Sequence, residues 1–158
     1  MSLKPTLGLF FLVLTIKLTA QSNFRVDPEL KTTLAKHANV LVNTNDVEIH
    51  ILSYNKMVIK THRAVTIYNA SGSNKAYTYE TYDGTTKIKT LEATVYNAAG
   101  EKVKRYKAKD FKDAARADGI SIYNDDRIKY LEHQSVTYPY TIDYIGSSLK
   151  VVGFIYYA

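Results

Sequence analysis

Four histidines and fourteen tyrosines are the side chains of this 158-residue chain most able to do chemistry or to hold a ligand. His37, His50, His62 and His133 show neither the i, i+4 spacing nor the close pairing of a metal site. His50 and His62 could still be neighbours across an expected hairpin, with Glu48 close by, and such a trio would be an acid-base or zinc constellation. A polar, solvated strand face explains the same residues. Asp118-Gly119 and Asn124-Asp125-Asp126 are built from calcium-loop residue types but lack EF-hand spacing, and turn formation accounts for them. The chain has no cysteine, which excludes a thiol nucleophile, a Cys-ligated zinc and a disulfide framework. It also lacks a Gly-x-Ser-x-Gly elbow, a P-loop and a dinucleotide fingerprint, so no catalytic residue, metal or cofactor is expected. Tyrosine offers an apolar ring with a polar tip. The candidate binding surface, for peptide or glycan, is therefore Tyr77, Tyr79 and Tyr82 with His50 and His62.

Those residues must be positioned by strands. Met57–Tyr68 is the longest strand-like run: Met57, Ile59, Val65 and Ile67 share one face with Thr61 and Arg63, and Val58, Lys60, His62, Ala64, Thr66 and Tyr68 share the other. This predicts a long, half-buried strand at the centre of an antiparallel sheet. Val47 to Leu52 alternates as well, and a tight turn over Ser53–Lys56 makes the two a hairpin. Before it, Asn43–Asp46 reads as a turn. Asp27-Pro28-Glu29 is a helix start, and Leu30, Leu34 and Ala38 continue it as a short amphipathic helix from Pro28 to about His37, docked through its leucines.

Further strands are expected over Ala76–Tyr82, Lys87–Tyr96, Lys102–Lys107, Ile128–Gln134 and Ser135–Ile145. Ile88 is out of phase with Leu91, Ala93 and Val95, which predicts a bulge near Lys89 or Thr90. Pro139 belongs at an edge, a bulge or the true start of its strand. Lys109 to Ala117 suggests one or two helical turns, Gly146-Ser147-Ser148 a turn, and Leu149–Tyr157 a last strand that is apolar on both faces. The fold class is mainly β: an antiparallel, β-sandwich-like sheet with a short N-terminal helix.

Residues 1–20 have the form of a signal peptide. Lys4 precedes the apolar Leu7–Ile16 run, and Leu18-Thr19-Ala20 offers a small-residue exit, so cleavage is expected after Ala20. The apolar run is too short for a transmembrane anchor. Residues 21–158 then form a single β-rich domain, exported to the periplasm or the extracellular space. Without Lys4 and Lys17 the 21 basic residues become 19, against 15 acidic, a formal +4. The basic cluster at Lys102–Lys109 is expected to be a solvated edge strand, and no nucleic-acid partner is expected.

The order of segments resembles the N-terminal domain of unknown function that precedes transglutaminase-like domains in exported bacterial proteins. The residues that carry it are Pro28-Glu29-Leu30 through Val42, Lys60–Asn69, Thr86–Lys89, Ala93–Asn97, Lys109-Asp110-Phe111 and Tyr138–Ile142, spanning Pro28 to Tyr144. The resemblance implies a noncatalytic, sandwich-type accessory or binding module, with a Cys-His-Asp machinery on a following papain-like domain. It also implies that the chain is a C-terminally truncated copy whose partner is that downstream domain. The alternative is a stand-alone periplasmic domain that binds peptide or glycan.

Overall fold

The computed structural model describes residues 24–34, 36–116, 125–135 and 137–153. The reading of residues 1–20 as a leader lies outside them, as do the side chains of Leu30 and Leu34. Among the described residues eight strands follow a seven-residue helix, α1 (Pro28–Leu34), in the order β1 (Val40–Ser53), β2 (Lys56–Ile67), β3 (Thr78–Tyr82), β4 (Thr86–Asn97), β5 (Lys102–Lys107), β6 (Lys112–Ala115), β7 (Arg127–Leu131) and β8 (Tyr140–Val151). They form two antiparallel sheets: a five-stranded one ordered β1-β2-β8-β4-β5 and a three-stranded one ordered β3-β7-β6.

The core lies between the sheets. Val65 and Ile67 of β2, Leu91, Ala93 and Val95 of β4, and Tyr140, Ile142 and Tyr144 of β8 make one wall. Ala76, Phe111 and Leu131 close it from the other side. Register explains the wall, because Val65 and Val95 both stand opposite Ile142. Each aliphatic side chain buried this fully contributes about 1.5–3 kcal/mol. The odd-numbered face of β2 is thus the inner face, as its alternation predicts. On the outer face the segment before α1 covers one end of the large sheet: Val26 donates to the Ala98 carbonyl at 3.1 Å, and the Phe24 ring lies 5.0 Å from that of Tyr96. Near it Thr66 and Thr141 are buried and share a 2.7 Å hydrogen bond, while Asn43 Nδ2 donates to Thr66 Oγ1 at 2.8 Å.

The β1–β2 hairpin, the bulge between Ile88 and Thr90, the basic edge strand β5 and the start of β8 just after Pro139 agree with the sequence. Five expectations change. The centre of the large sheet is β8, and β2 lies second from the edge. Gly146-Ser147-Ser148 sits inside β8, paired with β2 on one side and β4 on the other, and two flanking ladders outweigh local turn preference. Leu149–Val151 therefore continues β8, and residues 154–158 lie outside the described set. Asn43–Asp46 is a bulged stretch of β1, its register shifting between Val42 and Thr44. Lys112–Ala115 pairs with β7 as a strand, since a segment this short cannot sustain a helix by alanine content alone.

The small sheet does not cover the whole of the large one. Along the far half of the hairpin, Val47, Ile49 and Ile51 share the inner face of β1 with Met57, Ile59 and Thr61 opposite them on β2. Ile49 is 60% exposed and Ile51 59%.

Candidate functional site

The uncovered half of the inner face and the small sheet enclose a groove. β3 is the edge of the small sheet and pairs with β7 on one side. Three concavities follow it in series. One of about 390 Å³ is lined by Ser73, Asn74, Tyr77, Glu132, His133 and Gln134. The next, of about 420 Å³, shares Asn74 and Tyr77 with it and adds Arg63, Tyr79, Thr81 and Tyr144 among its walls. The third, of about 300 Å³, shares Glu80 and Thr81 with the second and reaches Ile59, Tyr82 and Lys150. The second and third between them touch all five residues of β3, and the first adjoins its start at Tyr77.

On this side β3 has no strand partner among the described residues. Tyr144 Oη donates to the Tyr79 carbonyl at 3.2 Å from β8, outside the β3–β7 ladder. Successive strand residues direct their N–H and C=O to opposite edges. Tyr79 and Thr81 therefore turn theirs to the groove, and Thr78, Glu80 and Tyr82 turn theirs to β7. Above the edge the rings of Tyr77 and Tyr79 lie 5.7 Å apart, and Tyr130 stands 5.7 Å from Tyr77. Below it, Tyr144 Oη lies 2.9 Å from Glu80 Oε2, so its one proton is shared between that carboxylate and the Tyr79 carbonyl, and burial, followed by the nearby Glu80 charge, pushes the Tyr144 phenol up from its usual value.

Arg63 brings a guanidinium into the middle concavity, which Lys75 also lines, while Lys150 lines the third. Arg63 Nη1 and Nη2 both donate to the Lys75 carbonyl at 3.2 Å, and burial pulls its guanidinium down from the usual value. Among the described residues no carboxylate lies within ion-pair distance of it. The sequence carried a signal for this residue: Arg63 falls in phase with Val65 and Ile67, a charge on a core-facing register. Glu80 and Tyr144 had no such signal, because only the packing of β3 over β8 brings them together.

The tyrosines and histidines separate. Tyr77 and Tyr79 line the groove, and Tyr82 lies at its far end, donating to Asp113 Oδ2 at 2.7 Å while accepting from Arg127 Nε at 2.8 Å. That hydrogen bond from Tyr82, with Lys129 and Arg127 beside it, holds the Asp113 carboxyl below its usual value. His50 and His62 are on the opposite, outer face. They are not neighbours: His50 stands across from Val58 and His62 across from Asp46, with the Glu48–Lys60 rung between them. His50 Nε2 is 3.0 Å from Glu48, and His62 Nε2 is 2.8 Å from Asp143. Among the described residues no group of three or more His, Asp or Glu could hold a metal ion. His133 lines the first concavity, its Nδ1 2.9 Å from Tyr106 Oη and its ring edge-on to Tyr140. Burial, then the nearby Lys104 charge, lowers its pKa.

Among the described residues the groove is walled by tyrosines and floored by strand residues. The comparisons agree with the fold. Over 73% of its length the chain superposes, with a TM-score of 0.61 and 12% identity, on the 2.00 Å crystal structure of a "putative protease" from Parabacteroides distasonis ATCC 8503. The shared part is 24% of that protein, so the chain spans about a quarter of its neighbour. No curated protein matches. A family model matches residues 53–148, from the β1–β2 turn through most of β8, and the chain thereby belongs to the family described as a domain of unknown function with a solved structure, DUF3857.

Proposed function

We propose that this domain is a noncatalytic accessory module of an exported protease-like or transglutaminase-like protein, seated against the catalytic domain that it serves. The observation that carries the reading is the bare apolar half of the hairpin, where Val47, Ile49 and Ile51 lie on an edge strand, each about 60% exposed. A long apolar edge left open invites aggregation, and natural proteins cover or charge such edges. The likeness to one quarter of a larger protein supports an arrangement in which a second domain does the covering. The absence of cysteine from the sequence supports placing any thiol chemistry on that partner.

The test is the intact mass of the species captured from the native host with an antibody to Met57–Tyr68, followed by peptide mapping. The expected result is one polypeptide, or a stable complex, that also contains a Cys-His-Asp catalytic domain. Recovery of this domain alone, at the mass of its own mature chain, overturns the reading in favour of a stand-alone binding protein.

A further inference from the structure

We propose that the groove along β3 binds an extended peptide by strand addition, with a carboxylate of that peptide set against Arg63. The proposal rests on reading the domain as a noncatalytic binding module, and it names what the module binds.

Three independent features point to this occupant. First, Tyr79 and Thr81 turn their N–H and C=O groups to the groove, as the Tyr144 bond to the Tyr79 carbonyl shows. An open row of backbone donors and acceptors is what an added strand pairs with, and main-chain bonds then supply the affinity. Second, the groove has the right length. The second and third concavities between them are lined by all five residues of β3, about 17 Å at 3.3–3.4 Å per residue. Third, its floor has a chemical pattern. A strand added beside β3 lies over the inner face of β2, where Ile59 and Met57 precede Thr61 and Arg63. Its downward side chains therefore meet apolar residues and Thr61 before reaching a cation at Arg63, a half-buried guanidinium whose hydrogen bonds, among the described residues, go to the Lys75 carbonyl. A carboxylate there makes a charge-assisted pair in a partly desolvated site. A glycan lacks the regularly repeating N–H and C=O groups that an open strand edge pairs with.

The probe is the acetylated and amidated heptapeptide Thr-Val-Thr-Glu-Thr-Val-Thr, whose pattern reads the same in both directions and so suits either strand orientation. Isothermal titration against the mature chain is expected to show 1:1 binding. Replacing the central Glu by Gln should weaken it at least tenfold with the wild-type protein and change it less than twofold with Arg63→Gln. Two N-methylated peptides, one methylated at the inner three Val, Glu and Val residues and one at the Thr residues, should differ: one set faces β3 and loses binding, and the other keeps it. Thr81→Pro removes a donor that the β3–β7 ladder does not use, so the domain should fold with an unchanged far-ultraviolet spectrum and bind at least tenfold more weakly.

Equal binding by both N-methylated peptides overturns strand addition. An equal Glu-to-Gln effect in wild type and Arg63→Gln overturns the placement of the carboxylate. A monomeric, folded protein that binds none of the peptides overturns the proposal, and so does a concentration-dependent dimer whose formation Thr81→Pro abolishes, since the groove then takes a second copy. These outcomes are separable from the capture experiment: a catalytic partner in the native complex with no peptide binding removes this inference and leaves the accessory role standing.

Discussion

The Tyr144 hydroxyl donates to Glu80 Oε2 at 2.9 Å and so ties the central strand of the large sheet to the edge strand of the small one. Gly146 makes room for this bond. A Cβ at that position would sit 2.9 Å from Glu80 Oε2 and in hard contact with the Tyr144 hydroxyl, a rigid ring end that has little freedom to move. Gly146→Ala is expected to cost about 1–3 kcal/mol, the range of overpacking in a filled site. Urea denaturation monitored by far-ultraviolet circular dichroism measures it. In the double variant Gly146→Ala/Tyr144→Phe the cost of the alanine should fall by half or more; full additivity would place the strain elsewhere.

Gly72 is a second position where a side chain has no space. It lies buried in the 3-10 turn Ala70–Ala76, and a Cβ there would meet Val40 Cγ2 at 2.7 Å and, closer still, the Asn39 carbonyl oxygen. Backbone cannot give way as a side-chain tip can. Gly72→Ala is expected to destabilise by about 2–3 kcal/mol, at the upper end of overpacking costs. A melting temperature within a degree of the wild type would refute the close approach.

Acid should weaken the domain in two steps of known sign. The folded pKa of His133 is lowered, first by burial and then by the Lys104 charge. The unfolded chain consequently binds the proton more readily, and stability is full above the unfolded value of about 6.5 and declines as pH falls through the folded one. The folded pKa of Asp113 is lowered by the Tyr82 hydrogen bond first, so its contribution is full above about 3.9 and is lost below that. Proton NMR titration should place the His133 Hε1 midpoint below 6.5. His133→Gln should flatten the stability curve between neutral and mildly acid pH while leaving the Asp113 step in place, and a His133 midpoint above 6.5 would reverse the sign.

Ile49 is 60% exposed on the edge strand, so a charge there meets water. Ile49→Lys is expected to change the stability of this domain by no more than about 0.5 kcal/mol, as exposed sites do, and to raise its solubility limit. In the proposed complex with a catalytic domain the same substitution should weaken association by tenfold or more. Loss of more than 2 kcal/mol in the isolated domain would show that the face is already covered.

The sequence by itself determined what depends on local alternation and turn chemistry. The inner and outer faces of Met57–Tyr68, the hairpin at Ser53–Lys56, the bulge after Ile88 and the edge character of Lys102–Lys107 all follow from side-chain period, because each is decided by neighbours within a few residues. The tertiary structure decided what depends on partners far along the chain. Gly146-Ser147-Ser148 is strand because two ladders hold it, Lys112–Ala115 is strand because β7 is beside it, and β8 rather than β2 takes the centre. The same division applies to the site. The tyrosine alternation pointed to Tyr77 and Tyr79, but His50 and His62 share a face opposite the groove and stand two rungs apart, since register sets which residues of a hairpin come level. Arg63, Glu80 and Tyr144 converge only because the small sheet stops short over β8, leaving an unpaired strand edge above a charged floor, and no local pattern encodes where a sheet ends.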